Sequence, residues 1–470
     1  MERSIIIRGP LGVGKSTVAK VIAEKIGAVY ISVDEVLDHN GLDKAVEGEG
    51  IPLSNFLKAN EIIATEAKNA RNEGKSVFVD GNFYHKEQVE QLIRLLENDV
   101  EVFTLKASVE VCIARDAARA KPYGEDAARA VHMFVSAFDY GTVINTETQT
   151  INETIRSVMD VIRDIALIVR IALKNKIDLH SSIHRFEGGQ VNRVYQIGKN
   201  HVLKIENNLD VTEHQSEIIA LAVSAGAKVP KILDAGELDG SRYLLMEKVN
   251  GRKLSEDWMN FSEVQKENLM AQIAEQLRIF HSIKFDAYAL PRPRQFDNWE
   301  MAIDSYTHFD DVDKTKLDAQ TLENFESLEK FYKEHKSILR DSSEPVLVHN
   351  DLHFDNILHQ DGVLTGIIDF DFARQAPRDY ELWHLLDFFC TPVYFVEEKL
   401  EDQWRGFKVG NEIANLKKSY PELFETTDLS TRLKLYLTES LVSDLGAGAI
   451  HKFNKRFENY FKESWLKKYI

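Results

Sequence analysis

At 470 residues the chain is longer than one hydrophobic core ordinarily serves, so two or three domains are expected. Hydrophobic residues make up 44% and charged residues 28%, a globular profile with ample apolar material to bury. The formal net charge is −17 with no Lys/Arg-dense run to offset it, which argues against nucleic acid as the main partner.

Two distant cysteines, Cys112 and Cys390, form no metal or disulfide pattern and suit a reducing cytoplasm, the expected location. The first strand begins at about Ser4, which leaves no room for a cleavable signal peptide. The most apolar stretch, Val158–Leu173, is broken by Arg163, Asp164 and Arg170 and is shorter than the roughly 20 residues that cross a bilayer. No membrane partner is expected.

In chain order, Ser4–Arg8 (SIIIR) reads as a strand buried on both faces. Residues 9–16 follow as GPLGVGKS, and helical apolar spacing runs over Thr17–Ile26. Strand, GxxxxGK[ST] and helix together make a phosphate-cradling loop. Gly9, Gly12 and Gly14 let backbone N–H groups approach the phosphates, Val13 and Thr17 belong to the same cradle, and the helix N-terminus favours negative charge. Lys15 should reach the β/γ-phosphates of ATP, and the Ser16 hydroxyl should hold magnesium.

Val29–Val33 (VYISV) is a second strand, with Asp34 just beyond it. Asp34 reads either as the carboxylate that takes a proton from an acceptor hydroxyl or as a helix N-cap. Gly41–Ile51 reads as a mobile loop beside the acceptor. Ser76–Val79 leads to Asp80, which resembles the Walker B aspartate that positions magnesium. After the strand Val100–Leu105 comes CIARDAARAKPYGED. There Arg115 and Arg119 read either as lid cations that neutralise the transferred phosphoryl group or as a solvated helix face at i and i+4. This module resembles the P-loop kinases of the adenylylsulfate kinase, gluconate kinase and zeta-toxin type, and the resemblance implies an arginine-bearing lid. It says little about the acceptor.

Thr150–Leu173 carries apolar residues at helical spacing, and the pattern fades into a polar connector after Lys174. The domain break is placed there: residues 1–172, then 173–470, with lobes at about 183–250 and 251–470.

In the second module Gly188 and Gly189 open a hairpin and the VLKI strand presents Lys204. Glu217, in a helical pattern, is a candidate carboxylate partner for Lys204. Tyr243–Val249 runs into a hinge where Glu247 and Val249 could meet an adenine. Residues 349–356 read HNDLHFDN, with Asn356 five residues after Asp351 and Asp369 18 residues after it. Asp351 suits the carboxylate that orients a hydroxyl, and Asn356 and Asp369 suit magnesium ligation. The alternation of His349, Asp351 and His353 offers a rival metallohydrolase reading, but that reading explains neither Asn356 nor Asp369. The ordered motifs VLK, VPKIL, LLMEKVNG, HNDLHFDN, IIDFDFA and RDYELW resemble the aminoglycoside phosphotransferase and choline kinase family over about residues 183–390. The resemblance implies a protein-kinase-like fold, Asp351 as catalytic base, Asn356 and Asp369 on magnesium, Lys204 on the nucleotide, and Asp379 as structural support.

The expected fold is therefore α/β: a three-layer parallel-sheet P-loop domain followed by a two-lobed, protein-kinase-like α+β domain. The expected function is a bifunctional, ATP- and magnesium-dependent phosphotransferase for small-molecule hydroxyl or phosphate acceptors. Two alternatives stand beside it: one working kinase regulated by a nucleotide-binding P-loop domain, and a non-catalytic scaffold. Acceptor and oligomeric state are not legible in these residues.

Overall fold

The computed structural model describes residues 3–46, 50–97, 100–177, 183–186, 193–206, 212–289, 295–462 and 465–470. The chain divides into two compact units, Met1–Arg185 and Phe186–Ile470. Gly188 and Gly189, and part of the 41–51 loop, lie outside the described residues.

The first unit is built on a parallel five-stranded sheet, in the order Val29–Ser32, Val77–Gly81, Ser4–Arg8, Val100–Lys106, Thr142–Asn145. All five residues of Ser4–Arg8 are buried, because this central strand feeds two cores. Ile6 points into one with Phe56, Ile63, Val89 and Leu92, whereas Ile5 and Ile7 point into the other with Val18, Ile22, Val158 and Ile165. Helices on both faces explain why the strand reads as one apolar run rather than an alternation. The helix Ile151–Lys174 starts at a capping box, with Thr150 and Glu153 satisfying each other's backbone N–H groups.

In the second unit Arg193–Ile197, His201–Glu206, Ser241–Glu247 and Ile232–Leu238 pair antiparallel in that order. The helix Thr212–Ser224 follows the strand that bears Lys204. The remainder is mainly helical and shares one large core, in which Trp258, Trp299 and Trp404 are fully buried. Tyr436, Phe453 and Tyr460 are buried with them, while Phe407 and Phe461 are partly buried against the same core.

The piece of this fold that matters most for chemistry is a hairpin. Ile357–Gln360 pairs antiparallel with Val363–Ile367, and Ile368 N–H donates to Asn356 O at 2.9 Å. This brings the chain back beside its own start, so positions 356 and 369 meet although 13 residues of sequence separate them. Among the described residues, no helix is long and apolar enough to cross a membrane.

Two candidate phosphoryl-transfer sites

The first site begins where the strand Ser4–Arg8 ends. Gly12 has φ +87°, and a Cβ there would fall 2.1 Å from the carbonyl oxygen of Cys112, so only glycine fits. Gly14 caps the helix Lys15–Ile26 in a left-handed conformation, which turns the first free N–H groups toward the loop. Lys15 is buried, and desolvation pulls its ammonium below the usual range against the opposing pull of Asp80 and Asp34. Ser16 Oγ donates to Asp80 Oδ2 at 2.5 Å, and the Tyr30 hydroxyl donates to Oδ1. Parallel pairing of Ser4–Arg8 with Val77–Gly81 sets Asp80 at the same end of the sheet as the glycine loop.

Asp34 is not a cap. The strand stops at Ser32, whose hydroxyl accepts the Glu35 N–H, and Asp34 sits in the first turn of the helix Val33–His39. Its outer edge is open to solvent, but the walls of the site desolvate it and raise its carboxyl above the usual range; Lys15 opposes the shift, and Asp80 and Glu35 add to it.

The two arginines expected in a lid are placed differently, because the helix Val109–Ala117 ends before Arg119 and they do not share an i, i+4 face. Arg115 is tied down: its Nη1 donates to Thr146 Oγ1 at 3.0 Å, and its Nη2 to the Thr146 carbonyl at 2.7 Å. With Val13, Gly14, Gln149, Ile151 and Thr154 it lines a cavity of about 170 Å³. Arg119 is exposed, lies 3.6 Å from Asp116, and is close enough for its charge to act on Lys15. Val13 is buried in the wall of the loop and Thr17 faces outward.

The second site gathers residues from distant stretches. Asn356 Nδ2 donates to the Asp351 carbonyl at 2.8 Å and to Asp351 Oδ2 at 3.0 Å. Asp369 adopts φ +66°, a left-handed backbone that aspartate tolerates, and accepts from Lys204 Nζ at 3.5 Å. His349 spans the two segments: Asp351 N–H donates to its Nδ1 at 3.3 Å and its Nε2 meets the Ile368 carbonyl at 2.9 Å. Both of its nitrogens are therefore engaged with backbone, which removes it as a zinc ligand and with it the metallohydrolase reading. Burial pushes the Asp351 carboxyl up, but His353, His384 and His349 outweigh it and hold it below the usual carboxylate range.

Lys204 does not meet Glu217. It is buried, with its ammonium pulled down by desolvation, and it pairs with Asp371 as well as Asp369. From the helix Thr212–Ser224 it is Gln215 that turns inward, buried and donating to Asp371, while Glu217 is exposed. Two residues along a helix rotate a side chain by about 200°, so only one of the pair can face the strand. At the hinge, Glu247 N–H donates to Lys231 O at 2.8 Å.

Sequence reasoning missed the helix Glu381–Cys390. Buried Glu381 accepts the N–H groups of His349 at 2.7 Å and Asn350 at 3.3 Å, and Trp383 Nε1 donates to Asn350 Oδ1 at 3.2 Å. His384 Nε2 lies 3.2 Å from Asp351 Oδ1. The i, i+3 spacing of Glu381 and His384 after RDY was the available signal. Asp379 is a support, buried and accepting from Arg432 Nε at 2.7 Å and the Tyr436 hydroxyl at 2.7 Å.

Comparison with known proteins follows this division. Residues 182–407 match the phosphotransferase enzyme family, and residues 5–137 match an AAA domain. No curated protein matches the chain. Among solved structures, aminoglycoside phosphotransferase APH(4)-Ia is similar at 18% identity, covering 64% of this chain and 99% of its own, with a TM-score of 0.47. The streptomycin–ATP–APH(2″)-IIa ternary complex is similar at 16% identity, covering 63% and 98%, with a TM-score of 0.44. The GDP complex of wild-type aminoglycoside 2′-phosphotransferase-IIIa is similar at 19% identity, covering 65% and 99%, with a TM-score of 0.46. Two family models thus meet this chain in separate places, an AAA domain in the first unit and the phosphotransferase enzyme family over a little under half of the 470 residues.

Proposed function

We propose that both units transfer the γ-phosphoryl group of ATP, each to a hydroxyl or phosphate on its own small-molecule acceptor. The observation that carries this reading is the convergence of Lys204, Asp351, Asn356 and Asp369, drawn from stretches up to 165 residues apart, on one catalytic loop. Asp351 orients the acceptor hydroxyl and takes its proton as the bond to phosphorus forms. Lys204, released from Asp369, holds the phosphates. In the first unit Lys15 and the N–H groups of the glycine loop grip the phosphates, Arg119 faces the charge on the transferred group, and Asp34 receives the acceptor.

Both sites fit magnesium, because their donors are hard oxygens: the Ser16 hydroxyl with the Asp80 carboxylate, and the amide oxygen of Asn356 with Asp369. Bound there, the ion would neutralise charge on the phosphates.

The test is a metabolite extract incubated with labelled ATP and the full-length chain, as Lys15→Ala and as Asp351→Ala. Each variant should lose its own labelled product and keep the other. If either variant retains every product of the parent, the transferase role of that unit is wrong.

A further inference from the structure

We propose that His384 is a positioning residue for phosphoryl transfer, holding Asp351 Oδ1 through its Nε2–H so that the carboxylate stays turned toward the acceptor. The inference rests on the reading of Asp351 as the group that orients the acceptor hydroxyl.

The carboxylate has polar neighbours on both oxygens, and His353 Nε2 also stands 3.6 Å from Oδ1. Asn356 Nδ2 holds Oδ2 at 3.0 Å from within the catalytic loop, and His384 Nε2 stands 3.2 Å from Oδ1 on a separate element, the helix Glu381–Cys390. The first residue of that helix, Glu381, already binds the N–H groups of His349 and Asn350. One helix therefore fixes both the backbone of the loop and the side chain that the chemistry uses. A carboxylate held on both oxygens loses the χ rotation that would otherwise turn it away from an attacking hydroxyl.

The proton belongs on Nε2. His384 is enclosed, and burial pushes its imidazole down to about 4, so it is neutral and carries one N–H. Its Nδ1 is buried and has no hydrogen-bond partner among the described residues. A lone pair on Nε2 would face the Asp351 oxygen and be repelled, whereas an N–H there makes a charge-assisted contact. The ring itself cannot swing: it packs edge-on against Trp383 at 4.7 Å and Phe395 at 5.3 Å, with the His353 ring stacked at 6.0 Å. A residue kept only for packing would gain nothing from aiming a polar nitrogen at a half-buried carboxylate.

The experiment uses the full-length chain with Lys15→Ala to silence the first unit, and magnesium-ATP with water as the acceptor. His384→Phe keeps the ring packing and removes the N–H. It should lower kcat by about tenfold or more while KM for ATP stays within about twofold, because misorientation acts on the transition state rather than on nucleotide binding. His384→Gln, which restores an N–H at similar reach, should recover most of the loss. A His384→Phe enzyme within about twofold of its parent in kcat would overturn the inference. So would a His384→Gln enzyme as slow as His384→Phe, and that second variant decides the matter if the first does not fold. Asp351→Ala in the same background separates the two levels of failure. If it leaves turnover intact, the reading of the second site falls; if it abolishes turnover while His384→Phe does not, only the role of His384 falls.

Discussion

On the function proposed above, the two sites would grip a triphosphate with opposite architectures. In the first unit nearly everything that would touch phosphate comes from eight consecutive residues, 9–16, and the ligands are mostly backbone N–H groups. In the second unit Lys204, Gln215, Asp351, Asn356, Asp369, Asp371 and Glu381 arrive from five separate elements, and the contacts are side chain to side chain. Both units bury a lysine whose ammonium is pulled down by desolvation, but the compensation differs. Lys15 is countered at a distance by Asp80 and Asp34, whereas Lys204 is in direct contact with Asp369 and Asp371. A backbone cradle depends on glycine at fixed places; a side-chain cradle depends on distant helices holding their register.

The comparison can be broken most sharply at the chemistry. Asp351→Ala should reduce turnover of the second unit by roughly 10²–10⁴-fold while ATP still binds, as read from initial rates beside nucleotide affinity. Lys15→Ala should lower turnover in the first unit by roughly 10²–10³-fold and leave the second unit's rate unchanged. Gly12→Ala probes the backbone cradle itself. The added Cβ meets the Cys112 carbonyl at 2.1 Å on a backbone with φ +87°, so nucleotide affinity of the first unit should fall by about tenfold or more in titration calorimetry. The finest contrast lies on one helix. Gln215→Ala removes a buried partner of Asp371 and should weaken ATP binding by about 1–2 kcal/mol, whereas Glu217→Ala should change binding and stability by less than about 0.5 kcal/mol. Equal effects from the pair would mean that the helix faces the site differently.

The buried charges of the second unit show why its geometry had to come from packing. Arg456, fully enclosed, pairs with Asp387 and Asp444, and Arg432 pairs with Asp379. Each links elements more than ten residues apart in sequence, and no local pattern announces them. The same holds for Glu381 and Glu217: both are glutamates in helical stretches, and only the placement of their helices makes one a clamp on the catalytic loop and leaves the other in solvent.

Much was nevertheless determined by the amino-acid order alone. The apolar run at Ser4–Arg8, the glycine spacing of the loop after it, and the Asp351, Asn356 and Asp369 intervals specify short-range backbone geometry, and short-range geometry follows from the local chain. Tertiary structure alone decided that Gln215 rather than Glu217 faces Lys204, that Arg115 is anchored while Arg119 stays open, and that His384 reaches Asp351. The first and last of these depend on the rotation of whole helices about their axes, and the second on where the helix Val109–Ala117 ends. Rotation is set by summed burial over many residues, so it cannot be read from the identity of any one of them.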